Sequence, residues 1–162
     1  SQGMMDIFSR LRERDMLLID DDEWIRDSLS IYFDSEDCRI VTCESAEEGL
    51  QVLGSKRFDI IIADYRLPGM DGIEFFEKSR LSHPDVIKIL ITAYPTANVS
   101  CRAIQAGVQR VIPKPFTSKE LLECLADLTE RSVSHSQQKP SSTIAEKITA
   151  KGACHAGKKL DE

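Results

Sequence analysis

Five short apolar runs alternate with five segments of helical period, and that rhythm leaves few folds open to this chain. The runs are residues 16–19, 39–43, 58–63, 86–92 and 110–112. The strongest are apolar throughout instead of alternating in and out, the pattern of strands covered by helices on both faces and so of a parallel sheet. Between them, Ile25, Leu29, Tyr32 and Phe33 recur near the 3.6-residue spacing of a helix. Ser45 with Glu48 forms a capping box ahead of Leu50 and Leu53, and Gly54 stands where a helix-ending glycine would. Residues 72–81 carry Ile73, Phe76 and Leu81 before His83-Pro84; residues 96–106 are closed by Gly107; Thr117 and Glu120 open a last helix to about Arg131. Residues 16–131 are too few for a closed eight-fold barrel, which takes roughly 200 or more. The predicted fold is α/β, an open doubly wound five-stranded parallel sheet.

Composition narrows the function classes. Apolar residues make up 41% of the chain, enough for a core, and a net charge of −6 lacks the basic face that phosphate backbones require. No apolar run approaches the roughly 18 residues of a membrane span, and no signal-peptide pattern is seen. The expectation is a soluble, cytoplasmic chain with no direct nucleic-acid or membrane contact by this domain. Five cysteines without a C-x-x-C pair argue against a disulfide framework or a structural zinc site. Cys38, Cys43, Cys101 and Cys124 lie in apolar segments and read as buried free thiols; Cys154 beside His155 has no partners for metal or nucleophile chemistry.

The chain divides into three parts. Residues 1–15 read as a scar (Ser1-Gln2-Gly3) and a faintly amphipathic lead-in; residues 16–131 are the domain. Residues 132–162, rich in Ser, Gln and Lys, read as a flexible tail or the start of an interdomain linker.

In an open parallel sheet, ligands bind beyond the carboxyl ends of the strands. Polar residues stand at those ends: Asp20-Asp21 after the first run, Asp64 after the third, Thr92 at the fourth, and Lys114 past the fifth. If the first and third strands are neighbours, three carboxylates meet, and such a cluster persists only with a cation or a function that requires it. All-oxygen ligation of this kind suits Mg²⁺. Mg²⁺ and Lys114 would neutralise a phosphoryl group, Thr92 would donate to it, and a facing carboxylate would take it up as an aspartyl phosphate. Singly, each residue has an ordinary explanation: a helix N-cap for Asp20 to Asp22, a capping loop residue for Asp64, a strand residue for Thr92, a solvated lysine for Lys114. Their joint placement outweighs those explanations.

These residues carry a resemblance. Leu17-Leu-Ile-Asp-Asp-Asp22, Ile61-Ile-Ala-Asp-Tyr-Arg-Leu-Pro-Gly-Met-Asp-Gly72, Ile89-Leu-Ile-Thr-Ala93 and Lys114-Pro-Phe116 resemble, in order and spacing, the receiver domain of two-component response regulators. The resemblance covers residues 16–131 and implies a flavodoxin-like (βα)5 sheet of strand order 2-1-3-4-5. It implies Asp64 as phosphoacceptor, fed by a sensor histidine kinase or histidine phosphotransfer protein, with Thr92 and Lys114 holding the phosphoryl oxygens. Asp21, Asp64 and the backbone carbonyl of Arg66 would hold Mg²⁺ directly, and Asp20 through water. It further implies a cis peptide at Lys114-Pro115, no enzymatic role beyond intrinsic autophosphorylation and autodephosphorylation, and switching or homodimerisation through the fourth helix of the series, the fifth strand and the fifth helix. Gly69 and Gly72 are its natural positive-φ candidates. Val111 stands where the family usually has Tyr or Phe, a departure that leaves no large ring for the usual aromatic readout to bury or expose. Arg66 and Tyr94 would flank the attacking water.

Two other readings compete. An aspartyl-nucleophile phosphatase would need an acid two residues past Asp64, where Arg66 stands. A degenerate docking domain would lack part of the Asp/Asp/Asp/Thr/Lys set. No helix-turn-helix or G-x-x-x-x-G-K-[ST] loop follows Arg131, so the chain reads either as a stand-alone receiver or as part of a longer regulator.

Overall fold

The structure is a computed structural model that describes residues 2–133. Eleven elements follow in order: α1 (Gln2–Leu11), β1 (Asp15–Ile19), α2 (Glu23–Ser35), β2 (Arg39–Cys43), α3 (Ala46–Ser55), β3 (Ile60–Asp64), α4 (Gly72–Ser79), β4 (Ile87–Thr92), α5 (Ala97–Gln105), β5 (Arg110–Pro113) and α6 (Ser118–Val133). The five strands form one parallel sheet of order β2-β1-β3-β4-β5, the predicted architecture.

The apolar runs form strands because both of their faces find cover. Leu18, Ile62, Ile89 and Ile91 point to a cluster completed by Leu29 and Phe33 of α2 and by Leu121 and Leu125 of α6. Leu17, Ile19, Ile61 and Leu90 point the other way, to Leu53 of α3, Phe75 and Phe76 of α4 and Val99 of α5. Strands β3 and β4 are buried at every position. Helix starts are set by side-chain caps: Asp22 accepts from Trp24 N, Ser45 from Glu48 N and Thr96 from Val99 N. Asp71 and Glu74 close a reciprocal capping box, as do Thr117 and Glu120. Each such cap contributes about 1 kcal/mol.

The structure departs from the sequence reading in four places. The lead-in of residues 1–15 contains a ten-residue helix, α1, that joins the core: Ile7 and Leu11 are buried with Phe33, Leu125 and Leu128, and the Phe8 ring tilts against Tyr32 at 6.2 Å. Arg12 Nε donates to the Glu36 carbonyl at 2.9 Å, and Arg39 Nη1 donates to the Arg12 carbonyl at 2.9 Å. Gly54 lies inside α3, which runs on to Ser55. Gly69 has the expected positive φ of 79°, but Gly72 does not; the other positive values fall at Gly107 and Asp37. Cys38, Cys43 and Cys124 are buried free thiols, whereas Cys101, also buried, is disulfide-bonded; an odd cysteine count excludes complete pairing but leaves room for a bridge. The tail of residues 132–162 lies almost wholly outside the described residues.

Lys88 is an unexpected buried charge inside β4. Its Nζ donates to the Val86 carbonyl at 3.2 Å. Burial, and then the neighbouring Arg80, push its pKa below the usual lysine range, with Asp85 opposing.

Two outcomes follow for stability. Leu11→Ala, which empties a site closed by α1, should cost about 2–4 kcal/mol in chemical denaturation. Lys88→Met should stabilise the fold at pH 7 by about 1 kcal/mol, since an apolar side chain of similar length removes a buried charge. The lysine's folded pKa is depressed, so the unfolded chain binds the extra proton and wild-type stability rises with pH. The advantage of Lys88→Met should therefore shrink between pH 7 and pH 10, read from urea midpoints.

Candidate functional site

All five strands run the same way, so their carboxyl ends open on one edge of the sheet. Register brings the polar ends together: Ile19 is paired with Ala63, Asp64 with Ile91, and Thr92 with Pro113. Asp20 therefore emerges beside Asp64, with Thr92 and Lys114 on the other side. The carboxylates of Asp20, Asp21 and Asp64 offer oxygens within 4.8 Å of one another; Asp20 and Asp64 are buried and Asp21 is exposed. Lys114 Nζ lies 3.1 Å from Asp20 Oδ2 and 3.2 Å from Asp64 Oδ2. The Lys114 backbone N–H donates to the Thr92 carbonyl at 2.8 Å, and the Lys114-Pro115 peptide is cis, as the resemblance implies.

Charge in this cluster is unbalanced: three carboxylates face one ammonium. Burial first, and then the Asp20 charge, push the Asp64 pKa up to about 6, although Lys114 pulls it down. Burial alone would lower the Lys114 pKa, but the two carboxylates outweigh it and the net shift is upward. Asp20 Oδ1 accepts from Asp22 N at 2.9 Å, while its buried Oδ2 has no hydrogen-bond donor aimed at it. Lys114 therefore holds that oxygen by charge without the geometry of a hydrogen bond. Thr92 Oγ1 accepts from Tyr94 N at 2.9 Å, which uses an oxygen lone pair and leaves the hydroxyl proton to donate.

A hard divalent cation fits this set. The donors are all oxygens, Asp20 Oδ2 is met only by the charge of Lys114, and two positive charges would balance the excess. Asp20, Asp21 and Asp64, the acids singled out in sequence, are the group of metal-ligating residue types found among the described residues. Arg66 follows Asp64 by two positions, and its guanidinium stacks over the Tyr94 ring at 4.7 Å. An arginine so placed offers no proton to a leaving group, which counts against the phosphatase reading.

Three further residues shape the loops: sequence reasoning missed Glu47 and Arg26, and named Gly72 for a positive φ that it does not have. A Cβ on Gly72 would lie 2.3 Å from the Asp64 carbonyl oxygen. That glycine is therefore required by close backbone approach and not by a positive φ. Glu47 Oε2 accepts from Met70 N at 3.0 Å, anchoring the loop from β3 to α4. Arg26 Nη1 donates to the Asp20 carbonyl at 2.8 Å. No local signal marks Glu47; Arg26 lies on the first turn after the acidic run, the one hint that it could reach back.

Comparison with known proteins agrees with this geometry. The family model for the response regulator receiver domain matches residues 16–126. The transcriptional regulatory protein GlrR of Escherichia coli is 33% identical over 117 residues, 72% of this chain and 26% of that protein. The DNA-binding transcriptional regulator NtrC of the same species is 33% identical over 121 residues, 75% of this chain and 25% of that protein. The chain thus spans about a quarter of the length of these curated relatives. Among solved structures, a CheY-like response regulator receiver domain protein from Methanospirillum hungatei aligns at TM-score 0.69 and 30% identity, covering 74% of this chain and 98% of that one. The response regulator TrrA of Thermotoga maritima, solved in complex with Mg(2+)-BeF, aligns at TM-score 0.64 and 30% identity, covering 71% and 98%. The chain belongs to the response regulator receiver domain family of two-component signal transduction.

Proposed function

We propose that Asp64 accepts a phosphoryl group from a phosphohistidine and that the resulting aspartyl phosphate switches a partner surface. The observation that carries this reading is the bridge of Lys114 between Asp20 and Asp64, with Thr92 on the adjoining strand end. An Asp64 oxygen would form the new bond to phosphorus as the P–N bond breaks, and the imidazole nitrogen leaves and takes up a proton. Lys114 neutralises phosphoryl oxygens, and the Thr92 hydroxyl donates to one of them. Asp21, Asp64 and the Arg66 carbonyl would hold Mg²⁺ directly, with Asp20 acting through water. When bound, the ion supplies positive charge against the carboxylates and the incoming phosphoryl group.

The donor is a protein, a sensor histidine kinase or a histidine phosphotransfer protein. An open cleft beside Lys114, lined by Trp24, Ile25, Leu29, Tyr32 and Phe116, gives such a protein an apolar seat next to the acceptor. No helix among the described residues is long and apolar enough to cross a membrane. The signal leaves through α5, β5 and α6, by homodimerisation or by docking of the effector. Here Val111 is a partly buried aliphatic packed on the α3–α5 side of the sheet, with no ring to bury when Thr92 is drawn toward phosphate.

Acetyl phosphate with Mg²⁺ should add one acid-labile phosphoryl group, visible as a mass increment in intact-protein spectra. Asp64→Asn should abolish it without unfolding the protein, since it removes one of three repelling charges, and omitting Mg²⁺ should greatly slow it. Modification that persists in Asp64→Asn would move the acceptor elsewhere. Val111→Tyr should sharpen the response to beryllofluoride and Mg²⁺, because a buried ring adds about 1–2 kcal/mol to the gain on switching. Amide exchange over residues 96–125 in both forms measures this, and equal switching in wild type would refute the weak-readout assignment.

A further inference from the structure

We infer that Arg26 is a positioning residue for the metal site: its guanidinium clamps the Asp20 carbonyl and so fixes where the Asp20 and Asp21 carboxylates point. The inference rests on the Mg²⁺ reading of the cluster. The β1–α2 connection is only Asp20, Asp21 and Asp22, so its backbone decides the direction of both acids. Asp20 has other restraints, with its N–H donating to the Cys43 carbonyl and its Oδ1 accepting from Asp22 N. The Asp21 side chain makes no hydrogen bond or ion pair with the described residues, so its aim is set by the backbone alone.

The Asp20 carbonyl is the lever. It accepts from Arg26 Nη1 at 2.8 Å, and the arginine is anchored at both ends. Its backbone N–H donates to the Asp22 carbonyl in the first turn of α2, and Nη2 lies 3.8 Å from Glu44 Oε2 at the end of β2. The Arg26 side chain is only 14% exposed while Glu44 is 73% exposed. The hydrogen bond to the carbonyl is therefore the sheltered contact and the ion pair the solvated one. Partners of metal ligands held in this way tune affinity by fixing ligand orientation.

Charge and geometry make opposite demands, which allows a decisive test. Removing a cation near three carboxylates should tighten Mg²⁺ binding if Arg26 acts through its field. Binding should instead weaken if Arg26 acts by clamping the loop. MgCl₂ is titrated into wild type, Asp21→Asn, Arg26→Met, Arg26→Lys and Glu44→Gln, following Trp24 emission and the amide shifts of Asp21 and Asp64. Urea midpoints are recorded without Mg²⁺. Arg26→Met should weaken binding about ten- to a hundredfold, Arg26→Lys should fall between it and wild type, and Glu44→Gln should stay near wild type. Arg26→Met with unchanged or tighter Mg²⁺ binding would overturn the inference, including the case in which only its urea midpoint falls. So would a Glu44→Gln loss as large as that of Arg26→Met. Should Arg26→Met not fold, Arg26→Lys decides: weaker binding at equal charge supports the clamp, and wild-type affinity refutes it. Asp21→Asn separates the two levels, since a loss there with none in the Arg26 variants leaves the metal reading standing and removes only the clamp.

Discussion

One ammonium group holds together charges that would otherwise push the open edge of the sheet apart. Lys114 Nζ sits within 3.2 Å of both buried carboxylates, and its backbone is hydrogen-bonded to the Thr92 carbonyl on the neighbouring strand. The lysine is thus fixed by the same edge whose charge it offsets. It does not complete the balance: Asp64 still holds its proton up to about pH 6 because burial and Asp20 outweigh the lysine. An oxygen cage with excess negative charge has the donor set and the charge deficit that suit a divalent cation.

Everything around the cage serves to keep it open and aimed. The parallel strands bury both faces in separate apolar clusters, so the chain can leave polar groups only at strand ends and loops. The loops are then pinned through their backbones. Gly72 allows α4 to start against the Asp64 carbonyl, Glu47 caps the Met70 N–H, and Arg26 takes the Asp20 carbonyl. Each contact fixes a peptide whose neighbours carry the chemistry. Helix α1 adds cover to the core through Ile7 and Leu11.

The site acids, Thr92 and Lys114 were legible because an apolar run that ends in a polar residue marks its own carboxyl end. In a doubly wound sheet those ends share an edge. Caps at Ser45 and Thr117 were equally local, needing only residues within one turn. Other features were not local. The amphipathic signal before β1 was too short to show that Ile7 and Leu11 would find Phe33 and Leu128. Gly72 looked like a turn glycine because its conflict is with Asp64, eight positions away in sequence and in contact only after folding. Lys88 gave no warning, since a lysine within an apolar run is as readily an edge residue as a buried charge.

What the sequence determined by itself is the alternation of elements and the residue types at each strand end, because both are written locally, in unbroken apolar runs, in 3.6-residue spacing and in the polar residue that ends each run. Strand order, and with it the distances among Asp20, Asp64, Thr92 and Lys114, was decided by tertiary structure. Nothing within a single βα segment states which strand will pair with which. The balance of charge belongs to the tertiary level too: a carboxylate is an ordinary N-cap in isolation, and its ionised form becomes costly once folding buries it with two like charges within 4.8 Å.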